Sequence, residues 1–243
     1  IWGKSGSTAA TPPFIPSPPE RRMLKKAGAK MRRALERVRE DGLTETARYT
    51  LTLVGIDIRP FYLMVETLPA EIPPALTAAP EGFEFSIFGR EDVETIAEIP
   101  ERQGYVGKQR VMENLEAGDT CMGLKKDGRI AAFTWFSTGN RGSIFYTPSL
   151  KENEAYLYDV YVLEDFRRRN LATILRHKSY EVLVEMGRDT FYSITESSNK
   201  PSMRLKKKLG ARPVFLGAYV KLFRKWVFRP VLRNYPGEEK PRS

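Results

Sequence analysis

The chain has 243 residues, 41% of them hydrophobic and 29% charged, enough for one sizeable core with extensions. A single cysteine, Cys121, and a single histidine, His177, exclude an internal disulfide framework and a Cys/His zinc cluster. The net charge of +10 draws anions, whether nucleic acid, anionic membrane, acidic carrier proteins or phosphorylated ligands, and charge alone does not choose among them. No apolar stretch approaches the roughly 18 residues of a membrane span. No signal-peptide pattern is present, which reads as a cytoplasmic protein, with peripheral membrane attachment as the alternative.

Residues 1–19 are rich in Pro, Ser, Thr and Gly, with five prolines between Pro12 and Pro19, and read as an extended arm. Residues 20–41 read as a basic helix. Met23, Ala27, Met31, Leu35 and Val38 form one apolar stripe, nine Lys or Arg lie between Arg21 and Arg39, and Gly42 is the stop. Such a helix packs on the core with its basic face in water, or meets a membrane surface or an acidic partner. Residues 60–68, PFYLMVETL, read as a strand able to extend a core sheet, and prolines at 69, 73, 74 and 80 mark a linker.

The core is expected over residues 81–224. Its elements are a strand at 83–88, helices at 92–99 and near 108–117, strands at 120–124 and 130–136, a strand at 155–162, a helix at 170–186, a strand at 190–196, a helix at 201–209, and two short strands reaching about residue 224. Asp127-Gly128 marks a hairpin. Residues 138–154 are long for a hairpin connection and read as a substrate-facing loop. The tail 225–243 interleaves Trp226 and Phe228 with Lys225 and Arg229, continuing a pattern begun by Lys221, Phe223 and Arg224; this suits a membrane interface, nucleic acid or a carrier protein.

The segment AYLYDVYVLEDFRRRNLATIL, residues 155–175, carries the chemistry. An apolar strand ends in an acidic turn, three arginines follow, then Asn170 and an amphipathic helix. The first N–H groups of a helix lack internal partners and sit at the positive end of its dipole, so this arrangement makes an anion site. Arg167, Arg168 and Arg169 add formal charge there. Downstream, TFYSITESSNKPSMRLKKKLGARPV (190–214) runs from strand to helix to a Leu-Gly turn.

These two segments resemble the acyl-CoA-binding units of the GCN5-related N-acetyltransferases. That family usually has Gln/Arg-x-x-Gly-x-Gly/Ala; this chain has Arg167-x-x-Asn170-x-Ala172. Asparagine is the non-glycine residue that most readily takes φ > 0. Asn199, Ser202, Leu209 and Gly210 sit at the family spacing, Ala211 replaces the usual aromatic, and Lys206 stands where many members have a tyrosine that protonates the departing thiolate. The resemblance implies an α/β fold: a mixed, mostly antiparallel sheet with two splayed strands, flanked by helices, here preceded by a basic helical extension.

The resemblance also implies acyl transfer from acetyl-CoA to an amine by direct attack, with no metal. Val160, Tyr161 and Val162 would bind the pantetheine arm. Arg167, Arg168, Arg169, Asn170, Leu171 and Ala172 would hold the pyrophosphate, Asn199 would meet the pantetheine or stabilise the neighbouring turn, and Ser202 would stand beside the cofactor. Asp159 on the central strand and Glu196 at the end of the next are the candidate bases, and Lys206 is the candidate acid if burial lowers its pKa. Each also has a structural reading. Cys121 lies in ordinary core and His177 inside a helix, so neither is expected to react. Three readings stay open: acetyl transfer to a small or protein amine, transfer of longer acyl chains from an acidic acyl carrier protein, and a non-catalytic binding module. The acceptor is not legible; an acidic carrier or an anionic membrane is the expected partner, ahead of nucleic acid.

Overall fold

The structure is a computed structural model, and its described residues are 51–53, 55–69, 71, 76, 78–102, 108–140, 142–223 and 225–237. The proline-rich arm and the basic helix expected at 20–41 lie outside them. The chain divides into two compact units, residues 1–57 and 58–243. Apart from the first two residues of β1, every element below belongs to the second.

The elements in order are β1 (Ile56–Glu66), β2 (Phe83–Ile87), α1 (Arg90–Ala97), α2 (Lys108–Glu116), β3 (Thr120–Lys126), β4 (Arg129–Ser137), β5 (Glu154–Val162), α3 (Leu171–Glu185), β6 (Thr190–Glu196), α4 (Lys200–Lys208), β7 (Arg212–Leu222), β8 (Trp226–Phe228) and β9 (Val231–Asn234). The strands form one sheet in the order β2-β3-β4-β5-β6-β1-β7-β8, with β9 also paired to β7. β1 with β6, β2 with β3, β3 with β4, β4 with β5, and β7 with β8 and β9 run antiparallel, whereas β5 with β6 is parallel. This is the mixed, mostly antiparallel sheet flanked by helices that the resemblance implies.

Local chemistry explains most of the elements. At the β3–β4 turn Asp127 (φ 50°) and Gly128 (φ 75°) both adopt the left-handed conformation that a tight hairpin needs. Gly187 and Gly210, at φ 76° and 70°, follow the ends of α3 and α4. Asn199 caps α4, its side-chain oxygen accepting from the Ser202 N–H at 3.1 Å.

The sheet is covered on both faces. On one, Leu171, Leu175, Tyr180 and Leu183 of α3 pack on Leu124, Ala132, Leu157 and Phe191. On the other, α1 and α2 place Val93, Ile96 and Val111 against Cys121, Phe133 and Trp135. The 138–153 connection lays Phe145 and Tyr146 over Phe61, Phe215 and Tyr219. These aromatic contacts include Phe61 with Phe145 at 5.3 Å and Tyr146 with Phe215 at 5.3 Å between ring centroids.

Two findings depart from the expected elements. The strand at 60–68 is central: β1 runs antiparallel to β6 and stands between β6 and β7. The region after α4 is one strand of eleven residues, not two short ones. Gly217 sits inside β7, where a Cβ would stand 2.7 Å from the Phe61 ring, so the close approach of that ring needs glycine. The sheet therefore draws on strands both before and after residues 81–224.

Candidate active site

The site begins where two parallel strands part. β5 pairs with β6 only from Glu154↔Thr190 to Tyr156↔Tyr192. Beyond that point Tyr158 to Val162 stay paired with β4 and the end of β6 with β1, but the two no longer pair with each other, and the strands part. A bulge adds to the effect. Against β4, Phe133 and Trp135 are two apart while their partners Tyr161 and Tyr158 are three apart. The extra residue sits at Asp159, whose φ of 50° is the left-handed conformation tolerated by Asp. The insertion flips which side chains face which helix layer. Ala155 and Leu157 face α3 and Tyr158 faces α1 and α2; after the bulge Val162 faces α3 and Tyr161 faces the other layer.

The loop after β5 sets a run of backbone amides beside three arginines. A short 3₁₀ turn at Glu164–Phe166 is anchored by buried Phe166, whose ring meets Phe83 edge-on at 6.0 Å. Arg168 (φ 65°) and Asn170 (φ 59°) then adopt left-handed conformations, and α3 begins. Among the described residues the amides from Arg168 to Ala172 donate to no backbone carbonyl, whereas Thr173 and Ile174 donate to the Asn170 carbonyl at 2.9 and 3.1 Å. The asparagine that replaces the family glycine thus keeps the turn, and Lys208 Nζ donates to its side-chain oxygen at 2.8 Å. Arg167 Nη1 pairs with Glu164 at 2.7 Å on the surface, where such a pair is worth little and is easily exchanged. Arg168 and Arg169 are exposed. Adjacent unpartnered amides, a helix N-terminus and three guanidinium groups fit the pyrophosphate of a CoA thioester.

The three side chains nominated for proton transfer are each held by an opposite charge. Both oxygens of Asp159 are taken by Arg102, with Nη1 at 2.9 Å, and Arg102 itself is buried over the rings of Phe133 and Tyr161. Glu196 is held by Arg59, with Nε at 2.9 Å, and that guanidinium lies 4.7 Å from the Phe145 ring centroid. Both carboxylates lie past the point where β5 and β6 part. To accept a proton, either one would have to loosen its arginine.

Lys206 is 2% exposed and donates to Glu66 on β1. Around that carboxylate are Ser193 and Tyr180, which also donate to it, and Arg176, whose Nε lies 3.6 Å away. Burial would raise the Glu66 pKa, but Lys206, Arg176 and the hydrogen bonds outweigh it and hold it at about 2. Lys206 moves the other way for a cation: burial, then repulsion from Arg176, exceed the pull of Glu66 and bring it down to about 8. The two shifts differ because one anion is shared by two cations. Glu66 gains from both, while each cation also faces the other. So Lys206 has the lowered pKa an acid needs, but its ammonium is buried within the α3–sheet–α4 layer.

Of the remaining nominees, Val160, Tyr161 and Val162 are half-buried on the stretch of β5 that pairs with β4 but no longer with β6. Leu171 is buried in the core. Asn199 and Ser202 form the α4 cap, and Ser202 Oγ lies 3.0 Å from Thr195 Oγ1. Burial, then the Asp159 charge, push the Cys121 thiol well up, so it carries no thiolate nucleophile. His177 is buried with its pKa lowered by burial, its ring edge-on to Tyr180.

Sequence reasoning missed Glu66, Arg176, Arg102 and Arg59. A signal existed for the first two: a glutamate ends the apolar run Tyr62–Val65, and an arginine interrupts the apolar face Leu171–Leu175 of α3. A charge inside an apolar run implies a buried partner.

The description "Acetyltransferase (GNAT) family" belongs to a family model that matches residues 87–211, just over half of the chain. No curated protein matches the chain in sequence. Among solved structures, a Drosophila protein is 18% identical with a TM-score of 0.52, covering 69% of this chain and 52% of its own. A GCN5-related glucosamine N-acetyltransferase region within a fungal multi-domain GH3 β-N-acetylglucosaminidase is 12% identical with a TM-score of 0.52, covering 74% of this chain and 23% of its own. The chain thus spans about half the length of the first and less than a quarter of the second, and at these identities the likeness is one of fold. The family match spans the whole run from the end of β2, through the parted strands and the arginine loop, to the turn after α4, and the chain belongs to the GCN5-related N-acetyltransferase family.

Proposed function

We propose that the protein transfers an acetyl group from acetyl-CoA to an amine by direct attack on the thioester. The observation that carries this reading is the junction of the parted β5 and β6 with the amide cradle from Arg168 to Ala172. In this reading the cradle and Arg167 to Arg169 take the pyrophosphate, and the free edge of Val160–Val162 takes the pantetheine amides. Asp159 and Glu196 border the reacting end from opposite strands. Because arginines already occupy both, the reading has the ammonium proton leave through water held against them, with either carboxylate as the terminal acceptor. Lys206, held inside by Glu66, contributes by fixing α4, not by touching the thiolate. Catalysis is then chiefly positioning of amine and thioester, which needs no covalent enzyme intermediate.

The test incubates the full chain with radiolabelled acetyl-CoA and a panel of primary amines, amino acids and peptides, and in parallel with long-chain acyl-CoA and an acyl carrier thioester. Acetyl transfer to an amine is the expected result. Transfer only from the long-chain or carrier-bound donors would replace acetyl by a longer acyl group. Absence of CoA binding altogether would remove the enzymatic reading.

A further inference from the structure

The last two strands form an edge that does not resemble an ordinary solvated one. β8 and β9 together line the outer side of β7. Phe228, Val227 and Trp226 stand opposite Val220, Lys221 and Leu222, and Val231, Arg233 and Asn234 stand opposite Gly217, Leu216 and Phe215. Every residue of both strands is exposed. Trp226 and Phe228 are each 52% exposed, Leu232 57% and Phe223 63%. Side chains two apart on a strand share a face, so Trp226 and Phe228 project together beside Leu222 and Val220. Phe223 joins them, its ring edge-on to Trp226 at 6.0 Å. Its φ of 49° is a left-handed conformation that glycine or asparagine takes without strain. The turn therefore presents a large apolar ring where a small residue would sit more easily, and the fold does not bury that ring. Contiguous exposed apolar side chains of this kind mark interaction surfaces.

The charges interleaved with these rings along the segment are all basic. Lys225 Nζ lies 5.7 Å from the Trp226 ring centroid and the Arg233 guanidinium 5.0 Å from that of Tyr235. Arg229 folds back to donate to the Ile144 carbonyl at 2.8 Å. From residue 221 to residue 237 the chain has five Lys or Arg and no Asp or Glu. This edge therefore carries a positive field that its own segment does not neutralise.

We propose that the β8–β9 edge docks on an anionic lipid surface. Tryptophan and phenylalanine settle at the boundary between headgroups and acyl chains, and the interleaved lysine and arginine stems reach back to the phosphates. Among the described residues no strand pairs with the outer side of β8 or β9, so backbone groups there still need water. The edge lies at headgroup depth and does not enter hydrocarbon. The same features disfavour other occupants. A second copy would bring like charge against like charge. Nucleic acid would stack on the aromatic rings but would gain nothing from Val227, Val231 and Leu232.

The experiment is co-sedimentation of the full chain with vesicles of phosphatidylcholine alone and of phosphatidylcholine mixed about three to one with phosphatidylglycerol. Binding to the mixed vesicles only is expected, weakening as salt rises from about 0.1 M to 1 M and the Debye length shrinks from about 10 Å to 3 Å. Trp226→Ala combined with Phe228→Ala and Leu232→Ala should reduce binding tenfold or more. So should Lys225→Glu combined with Arg233→Glu, with an unchanged melting temperature; that second variant guards against a loss caused by unfolding. The proposal is overturned if both variants bind like the unsubstituted chain, which would place attachment elsewhere, or if phosphatidylcholine alone binds equally well. It is also overturned if the unsubstituted chain ignores both vesicles, or if what the variants lose is self-association or single-stranded DNA binding.

Discussion

Replacing Glu66 by glutamine is expected to destabilise the protein by about 3–5 kcal/mol, the cost of breaking a buried ion pair from one side. The carboxylate is the only anion described within reach of Lys206 and Arg176, and all three are buried. Arg176 already leaves Nε and Nη1 without a hydrogen-bond partner among the described residues. Without the Glu66 charge, two cations would face each other in the interior. For a domain of this size such a loss lowers the melting temperature by roughly 10 °C, read by circular dichroism near neutral pH. Lys206→Met should cost less, because it removes a repelling charge and leaves Glu66 with Arg176. A Glu66→Gln variant that melts like the unsubstituted chain would show that the cluster is not closed around this carboxylate.

The same cluster sets a pH dependence of two signs. Glu66 is held at about 2, below the ordinary 4.5, so its contribution is complete above about 4.5 and is lost as the pH falls toward 2. Lys206 is held at about 8, below the ordinary 10.5. The unfolded chain therefore holds that proton longer, and this group makes stability rise as the pH increases from about 8 toward 10.5. A melting series across both windows reads the two slopes separately.

Asp159→Asn is expected to cost about 1.5–3 kcal/mol, the worth of hydrogen bonds to a charged group. Asparagine tolerates the φ of 50°, so the backbone is not disturbed and the change isolates the charge. What remains is Arg102, buried between Phe133 and Tyr161, with its carboxylate gone. Arg102 belongs to the turn Pro100–Arg102 that follows α1, so the pair ties that layer to the bulge of β5 at the mouth of the strand gap. The proposed acetyl transfer should slow in this variant while CoA affinity holds, since the cradle lies on the far side of the 3₁₀ turn. Full turnover together with unchanged melting would return Asp159 to an ordinary bulge residue.

How much of this was legible in the sequence depended on range. The hairpin at Asp127-Gly128 and the run from β5 through the arginine loop into α3 are written in neighbouring residues, and local turn chemistry with the period of the apolar positions is enough to read them. Asn170 was readable for the same reason: a left-handed position before a helix has few tenants. The placement of β1 between β6 and β7 was not readable, because strand order is decided by pairings more than a hundred residues apart, such as Leu63↔Ile194. The partners of the nominated acid and bases were hidden likewise. Lys206 meets Glu66 across 140 positions and Glu196 meets Arg59 across 137. The resemblance nominated three ionisable groups for the site, but only the fold shows that each is already held by an opposite charge.

The most direct test of the central claim is calorimetric titration of CoA into the full chain and into a variant carrying Arg167→Glu and Arg169→Glu. Both positions lie on the exposed loop before α3, so the fold should be unaffected. The account predicts a measurable dissociation constant for the unsubstituted chain and one at least tenfold weaker for the variant, about 1.4 kcal/mol, with the melting temperature unchanged. Equal dissociation constants for the two proteins would contradict it.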